Sequence, residues 1–578
     1  MELQHNRHIL KTEQLSFRYE DVKKPILKDV QFSLYPGEAV LLLGPSGSGK
    51  STLAFCLNKL YPEAVDGKLD GTISFKGKML EEFGPGEINQ HIGIVFQDPE
   101  SQFCMTTVED ELAFGLENMK TPPDEIESKI DEALELVHLL PYKHSLIHTL
   151  SGGQKQKLAL ACVLSLKPDI LILDEPTANL DPASSYELTR IIKELKENQT
   201  FSLLIIEHKL DDWIDLTDRC VVLNKEGEIL FNGSTAECFN QYAEELLHEG
   251  IWLPSAVRAG LLGKKEGIYK GEKLPLSDRE LIAGFANPIC ALQILDNRKK
   301  KHQAHEEQII LTAENLSFNK AGKDLLKNIS FSVKKGEFVA IAGSNGSGKT
   351  TLSRLLAGLY TPSKGNILFY DSSLSQWKEK ELRQKLGYVF QNPEHQFIAD
   401  SVYDEIAFSL KIQQIPDADI QKTVQAALLQ VDLLQCADLH PFSLSQGQKR
   451  RLSVASMLVN DQDLLLLDEP TFGQDARTSG ELMKLLETKI QSGGSVVMIT
   501  HDMEILHSYA DKVIVLSEGE KIYDGLPDAL WKKDEIMKIA SLKVPYLEKL
   551  RDDIGSIAGG EKACSYMNLT QALKHSLS

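Results

Sequence analysis

The chain reads as α/β, two domains in tandem, each built on a mostly parallel core sheet, and three observations predict this. One block of motifs occurs twice along the chain. The most apolar segments, such as AVLLLG (39–44) and DILILDE (169–175), are continuous and of strand length, as in strands buried on both faces. The first of them runs straight into a glycine loop and then into STLAFCLNKLY (51–61), which reads as a helix.

The repetition covers most of the chain. GPSGSGKST (44–52) returns as GSNGSGKTT (343–351), and VFQDPESQF (95–103) as VFQNPEHQF (389–397). LSGGQKQKLALA (150–161) returns as LSQGQKRRLSVA (444–455), ILILDEPT (170–177) as LLLLDEPT (464–471), and IIEH (205–208) as MITH (498–501). The internal spacing repeats too: Gln97 to Ser151 and Gln391 to Ser445 are both 54 positions, and Ser151 to Glu175 and Ser445 to Glu469 are both 24. We therefore expect one domain at about 8–240, a linker at 241–307, a second domain at 308–530 and a C-terminal tail at 531–578. Within the first copy, QFSLYPG (31–37) reads as a further strand, and KPDILILDEP (167–176) and FSLLIIEH (201–208) as buried strands. RCVVLNKEGEILFNG (219–233) and KVIVLSEGEKIYDG (512–525) read as hairpins closing each domain.

Composition limits the function classes. With 578 residues, 42% hydrophobic and 25% charged, the chain is ordinary for a globular protein and too long for one core. No apolar run reaches the roughly 18–20 residues that span a bilayer, and MELQHNRHILKTEQ has no apolar core of a secretory signal. A net charge of −20 argues against general nucleic-acid binding. The basic run RKKKH (298–302) reads as a solvated linker segment. The eight cysteines are scattered, with no CxxC pair, which reads as reduced thiols. WLPSAV (252–257) and VPYLEKL (544–550) suggest docking segments, on the domains or on each other.

Both glycine loops match GxxxxGK[ST], the phosphate-binding P-loop. Gly44, Pro45, Ser46, Gly47, Ser48 and Gly49, and in the second copy Gly343, Ser344, Asn345, Gly346, Ser347 and Gly348, would converge backbone N–H groups on phosphates at a helix N-terminus. Thr52 and Thr351 complete the two loops. Lys50 and Lys349 would reach the β- and γ-phosphates of ATP, and Ser51 and Thr350 would ligate Mg2+. Each Asp-Glu pair ends a buried strand beside the loop: Asp174 and Asp468 suit the Mg2+ side, Glu175 and Glu469 the orientation of an attacking water. His208 and His501 follow those glutamates by 33 and 32 positions and would contact the γ-phosphate.

LSGGQ and LSQGQ carry a family resemblance: the chain resembles the ATP-binding cassette (ABC) ATPases over both domains. The resemblance implies an antiparallel β subdomain and a helical subdomain beside each core sheet, and it makes Gln97 and Gln391 Q-loop glutamines that also sense Mg2+. It makes ANLD (178–181) and FGQD (472–475) the D-loops, and Tyr19 an aromatic that stacks on adenine. Lys320 stands where Tyr19 stands, so Phe318 is the second copy's candidate substitute. The family pattern further implies a head-to-tail sandwich. Site one would join Lys50, Ser51, Gln97, Asp174, Glu175 and His208 with Ser445 and Gly447; site two would join Lys349, Thr350, Gln391, Asp468, Glu469 and His501 with Ser151, Gly152 and Gly153. Gln446 and Gln474 depart from the usual signature glycine and D-loop leucine.

The stretch after each Q-loop, through TVEDELAFGLEN and SVYDEIAFSLKI, resembles the ATPases of energy-coupling factor (ECF) importers of vitamins and metal ions, including tandem ones tied to thiamine precursors. That implies a motor peripheral to the cell membrane on its cytoplasmic side, partnered by a transmembrane coupling protein and a substrate-binding protein, with Glu100 and Glu394 receiving basic groups from the former. A tandem ABC protein acting on the ribosome and an exporter motor are the alternatives. Pro254, Pro275 and several glycines make the linker unlike the long helical arm of the ribosomal class.

Overall fold

A computed structural model describes residues 8–285 and 308–557, apart from positions 21, 23, 199, 200, 321, 461 and 472. Each domain is centred on a six-stranded sheet. In the first, the order is Ile229–Ser234, Arg219–Leu223, Ala39–Leu43, Ser202–Ile206, Ile170–Asp174 and Ile92–Val95. All neighbours are parallel except the terminal hairpin pair, Arg219–Leu223 with Ile229–Ser234. The second domain repeats this with Glu520–Gly525, Lys512–Ser517, Phe338–Gly343, Ser495–Ile499, Leu464–Asp468 and Leu386–Val389. The expected closing hairpins are these antiparallel pairs.

The continuous apolar runs are explained by what lies on each side. Side chains alternate across a strand, so Val40, Leu42, Ile170 and Ile172 enter one core with Leu53 and Ala54 of the helix Lys50–Leu57. Ala39, Leu41, Leu43, Leu171 and Leu173 enter another with Leu158, Ala161 and Leu164 of the helix Gly152–Leu164. With both faces covered, neither parity of the strand can be polar.

An antiparallel sheet flanks each core sheet. In the first domain it has five strands, with Leu10–Tyr19 paired to Leu27–Val30, Ser33–Leu34 and Gly67–Phe75. The segment expected to be a strand at 31–37 contributes only Ser33–Leu34. Three helices form the other lobe: Val108–Asn118, Pro123–Leu136 and Gly152–Leu164, matched by Val402–Ile412, Asp417–Gln430 and Gln446–Leu458.

The helix Thr235–His248 runs through position 240, and Ser255–Lys265 and Asp278–Gly284 follow it. Ala256, Ala259, Tyr269, Leu281, Ile282 and Phe285 close a small separate core with Leu547, Leu550 and Ile554 of the tail helix Tyr546–Ile557. Tyr546 donates its hydroxyl to Asp278 Oδ1 at 2.8 Å, and its N–H to Glu504 Oε1 at 2.6 Å. Trp252 donates Nε1–H to the Gln474 carbonyl of the second domain at 3.2 Å, while Ala476 N–H donates to Gly250 O at 2.9 Å. The two segments suspected of docking are thus clamps between the halves. The RKKKH run lies outside the described residues. Among the described residues no helix is long and apolar enough to cross a membrane.

Candidate nucleotide-binding sites

Each P-loop leaves a central strand and turns into a helix through a glycine in the left-handed region, Gly49 at φ +92° and Gly348 at φ +100°. A Cβ on Gly49 would lie 2.8 Å from Leu27 Cδ2 and 2.9 Å from the Ile26 carbonyl, so both backbone angle and space demand glycine. Lys50 folds back, donating to the carbonyls of Gly44 at 2.8 Å and Pro45 at 3.0 Å; Lys349 does the same to Gly343 at 2.9 Å and Ser344 at 2.8 Å. Burial lowers the pKa of both ammonium groups, against the opposite pull of the Asp-Glu pairs. Ser48 Oγ and Ser347 Oγ are buried in the loops with no hydrogen-bond partner. Orphaned hydroxyls and lysines resting on loop carbonyls fit a cradle for phosphate.

The strand ends bring the acids to the loops. Ser51 Oγ donates to Asp174 Oδ1 at 3.1 Å and Thr350 Oγ1 to Asp468 Oδ1 at 3.4 Å. Burial, then repulsion from the adjacent glutamate, pushes Asp174 and Asp468 each up to about 6. A hydroxyl and a carboxylate whose charge is raised in cost by burial fit a divalent cation, with Gln97 and Gln391 as further oxygen donors.

Glu175 and Glu469 sit at φ +48° and +49°, a conformation unusual for a side chain with a Cβ, held by N–H bonds to Ile206 O at 2.9 Å and Ile499 O at 3.1 Å. Gln97 Nε2 donates to Glu175 Oε2 at 2.8 Å and Gln391 Nε2 to Glu469 Oε2 at 3.1 Å. His208 Nε2 lies 3.0 Å from Glu175 Oε1 and His501 Nε2 lies 2.9 Å from Glu469 Oε1. Burial pushes both glutamates up, but the histidine and lysine beside each outweigh it and the net shift is downward. The glutamates are therefore carboxylates at neutral pH, poised to accept a proton or orient a water.

Contacts also pass between the domains. A Cβ on Gly152 would sit 3.7 Å from Asn345 Nδ2 of the second P-loop, and Asn345 Nδ2 donates to the Asn179 carbonyl at 3.2 Å. Asp475 of the second domain acts electrostatically on Lys50, and Asp181 of the first acts on Lys349. Ser151 and Ser445 start their helices with full capping boxes, through Gln154 and Gln448. The approach is closer on one side: within 4 Å, a Cβ on Gly447 would meet only Gln474 Oε1 of its own domain, at 3.7 Å.

One expectation changes. Phe318 does not replace Tyr19. It is the counterpart of Phe17 and stacks on Tyr360 with centroids 5.4 Å apart and planes at 5°, as Phe17 stacks on Tyr61 at 5.6 Å. Tyr19 hydrogen-bonds to Thr52 Oγ1 at 3.1 Å, at the P-loop, whereas Lys320 Nζ lies over Tyr360, 5.8 Å from its centroid. Glu100 and Glu394 already have cationic partners in their own domain, Lys155 and, at 2.6 Å, Lys449, each on a helix begun by the signature motif. A charge one turn inside a helix was not traceable to a loop 55 positions away.

Sequence reasoning also passed over Glu207, although IIEH and MITH differ at this position. Glu207 is buried, accepts from Thr177 N–H at 3.0 Å and from the Thr177 hydroxyl, and accepts from His208 N–H at 3.0 Å; Thr500 replaces it in the second copy. Burial pushes its carboxyl up to about 7 from 4.5, against the pull of the Thr177 bonds. An acid with a raised folded pKa contributes stability that is complete below its unfolded pKa of 4.5 and is lost as pH rises through about 7. At about 1.4 kcal/mol per pKa unit, the loss is about 3 kcal/mol. Glu207→Gln is expected to flatten the fall in thermal midpoint from pH 5 upward. Identical pH slopes for parent and variant would remove Glu207 as the cause.

A sequence profile described as ABC transporter matches residues 27–178 and 326–472, one span in each domain, covering the P-loops, Q-loops, signature helices and Asp-Glu pairs just located. The chain belongs to the ABC transporter family. Its two domains are ABC ATPase cassettes, which bind ATP with Mg2+ and hydrolyse it. A Bacillus subtilis protein named "Putative HMP/thiamine import ATP-binding protein YkoD" is 46% identical over 557 residues, 94% of this ABC chain and 98% of its own. A "Putative ABC transporter ATP-binding protein" of Methanosarcina mazei is 37% identical over 561 residues, 94% of each chain. The solved structure of cbiO1 from Clostridium perfringens, described as part of the ABC transporter complex cbiONQ, is 35% identical, covers 43% of this chain and 100% of its own, and has a TM-score of 0.37.

Proposed function

We propose that this ABC chain is the motor of an ECF-type importer, peripheral to the cytoplasmic face of the membrane and bound there by a transmembrane coupling subunit and a substrate-binding protein. The observation that carries the reading is the complete hydrolytic set present twice: each strand-end glutamate is held between a Q-loop amide and a histidine, beside a P-loop lysine. The near end-to-end match to a Bacillus protein named for HMP/thiamine import supports import as the direction and a related compound as cargo.

In this reading Lys50 and Lys349 leave their loop carbonyls for the β- and γ-phosphates, and the loop N–H groups take up the remaining phosphate oxygens. Ser51, Gln97 and Asp174, or Thr350, Gln391 and Asp468, would hold a magnesium ion, which would supply positive charge against the phosphates. Glu175 and Glu469 orient the water that attacks the γ-phosphate. His208 and His501 exchange their contact with the glutamate for one with the γ-phosphate. Ser151, Gly152 and Gly153 cap the nucleotide on Lys349, and Ser445 and Gly447 cap the one on Lys50, so bound ATP closes the cassettes and hydrolysis releases them. Tyr19 stacks on adenine at site one.

The coupling surface lies beside the Q-loops. Ile398, 65% exposed, follows Glu394 by four positions, Phe408 and Ile412 are exposed on the next helix, Val402–Ile412, and Phe114 is exposed on the helix after Glu100. Glu100→Lys with Glu394→Lys breaks the pair of the exposed Glu100 to Lys155 and the pair of the half-buried Glu394 to the buried Lys449. Hydrolysis by the isolated chain is expected to survive, because no residue assigned to the nucleotide or the attacking water is replaced. Retention of the membrane subunits on co-purification, and uptake by the assembled complex, are expected to fall. Lost hydrolysis with intact assembly would place these acids in the ATP site and sink the coupling assignment.

A further inference from the structure

The two signature helices are anchored differently. At the seventh position of the motif, the first copy has Gln156 and the second has Arg450. Gln156 Nε2 donates to the Phe96 carbonyl, next to the Q-loop glutamine, at 3.2 Å. Arg450 instead reaches the catalytic strand end: its Nη1–H donates to the carbonyl of Glu469 at 2.7 Å. The guanidinium is buried, 8% exposed, and burial pulls it down to about 10, partly offset by Glu469 and Asp468, so it keeps its charge at neutral pH.

The geometry at Glu469 gives this contact a purpose. The residue is held at φ +49°, and its N–H is tied to Ile499 O at 3.1 Å. A charge-assisted bond to its carbonyl fixes the next peptide, on the other side of the same residue. Glu175 shares the backbone angle, at φ +48°, but its carbonyl accepts from the neutral Ala178 N–H at 3.1 Å. The helix that carries Arg450 begins at Ser445 and Gln446, the end assigned above to the nucleotide on Lys50.

We propose that Arg450 is a positioning residue for Glu469, fixing the water-orienting carboxylate of site two and tying it to the signature end that serves site one. The inference rests on the hydrolytic reading of Glu469. Contact with nucleotide at one site is thereby passed along a single rigid helix to the general base of the other, in one direction only, because Gln156 has no such link to Glu175. Nothing about nucleotide affinity is asked of Arg450, since it touches neither P-loop lysine nor phosphate cradle.

The test uses the full chain. Glu469→Gln is measured first: hydrolysis at the parent rate would overturn the reading of the site itself, independently of Arg450. Arg450→Gln, the residue of the other copy, is then made in a Glu175→Gln background, whose remaining turnover belongs to site two. A misplaced catalytic group costs up to about 100-fold, so kcat is expected to fall about tenfold with KM for ATP within about twofold. Where Glu175→Gln alone silences the chain, the sites fire together and the same tenfold loss is read in the parent. Arg450→Lys keeps a buried cationic donor and is expected to recover most of the rate, which separates positioning from mere folding. Amide hydrogen exchange at Glu469 and Thr471 should quicken in the Gln variant and not in the Lys variant. An unchanged kcat, a loss carried by KM, or a Lys variant as slow as the Gln variant would each overturn the proposal.

Discussion

Glu175→Gln together with Glu469→Gln is expected to abolish steady-state phosphate release while leaving ATP binding intact. Burial raises Asp174 and Asp468 to about 6, whereas the histidine and lysine beside each glutamate hold its carboxyl below the ordinary value. General-base assistance of this kind contributes on the order of 10²–10⁴-fold. The substitution is nearly isosteric, so the hydrogen bonds from Gln97 and Gln391 and the neighbouring histidines can rearrange without opening the buried strand end. Release near the parent rate from the double variant would remove both residues from the chemistry.

The second large effect concerns which residues share a site. Ser151 and Lys349 are 198 positions apart, yet Gly152 packs near Asn345 of the second P-loop. Ser151→Glu places a carboxylate against the γ-phosphate of site two, and such a like-charge juxtaposition costs several kcal/mol. Affinity there is expected to drop by about two decades or more. Adding Lys349→Ala should then lose little further, because both changes strike one site. Lys349→Ala combined with Ser445→Glu strikes two sites, and its effects should add. Additive loss for the Ser151 pair, with the Ser445 pair non-additive, would reverse the assignment of signature to P-loop.

Much of this was legible because the chemistry is local. A P-loop needs its glycines and lysine within a few positions, and a buried parallel strand needs an unbroken apolar run, so Gly49, Lys50 and the strand ending at Asp174 announce themselves. Spacing that both copies share marked Gln97, Gln391, His208 and His501 as site residues, while their contacts with the glutamates emerge only in the fold. What stayed hidden was settled by tertiary contact. Glu100 finds Lys155, Arg450 reaches Glu469 and Trp252 reaches Gln474 across intervals no periodicity marks. Phe318 was misread because residues two apart share a strand face but occupy different places along it: Phe318 stacks on Tyr360 as Phe17 stacks on Tyr61, one step short of the position Tyr19 holds. Glu207 was missed because a charged residue before a histidine reads as solvent-facing, whereas here it is buried by the strand end it helps to hold.

The central claim is that one chain holds two ATP-hydrolysing sites, each completed by the other cassette. It is tested most directly by counting nucleotide retained by the Glu175→Gln/Glu469→Gln chain after ATP and Mg2+ are added and free nucleotide is removed. Two molecules of unhydrolysed ATP per chain are expected, falling to about one when Ser151→Glu is added. One molecule per chain before that addition, or two after it, would contradict the head-to-tail pair.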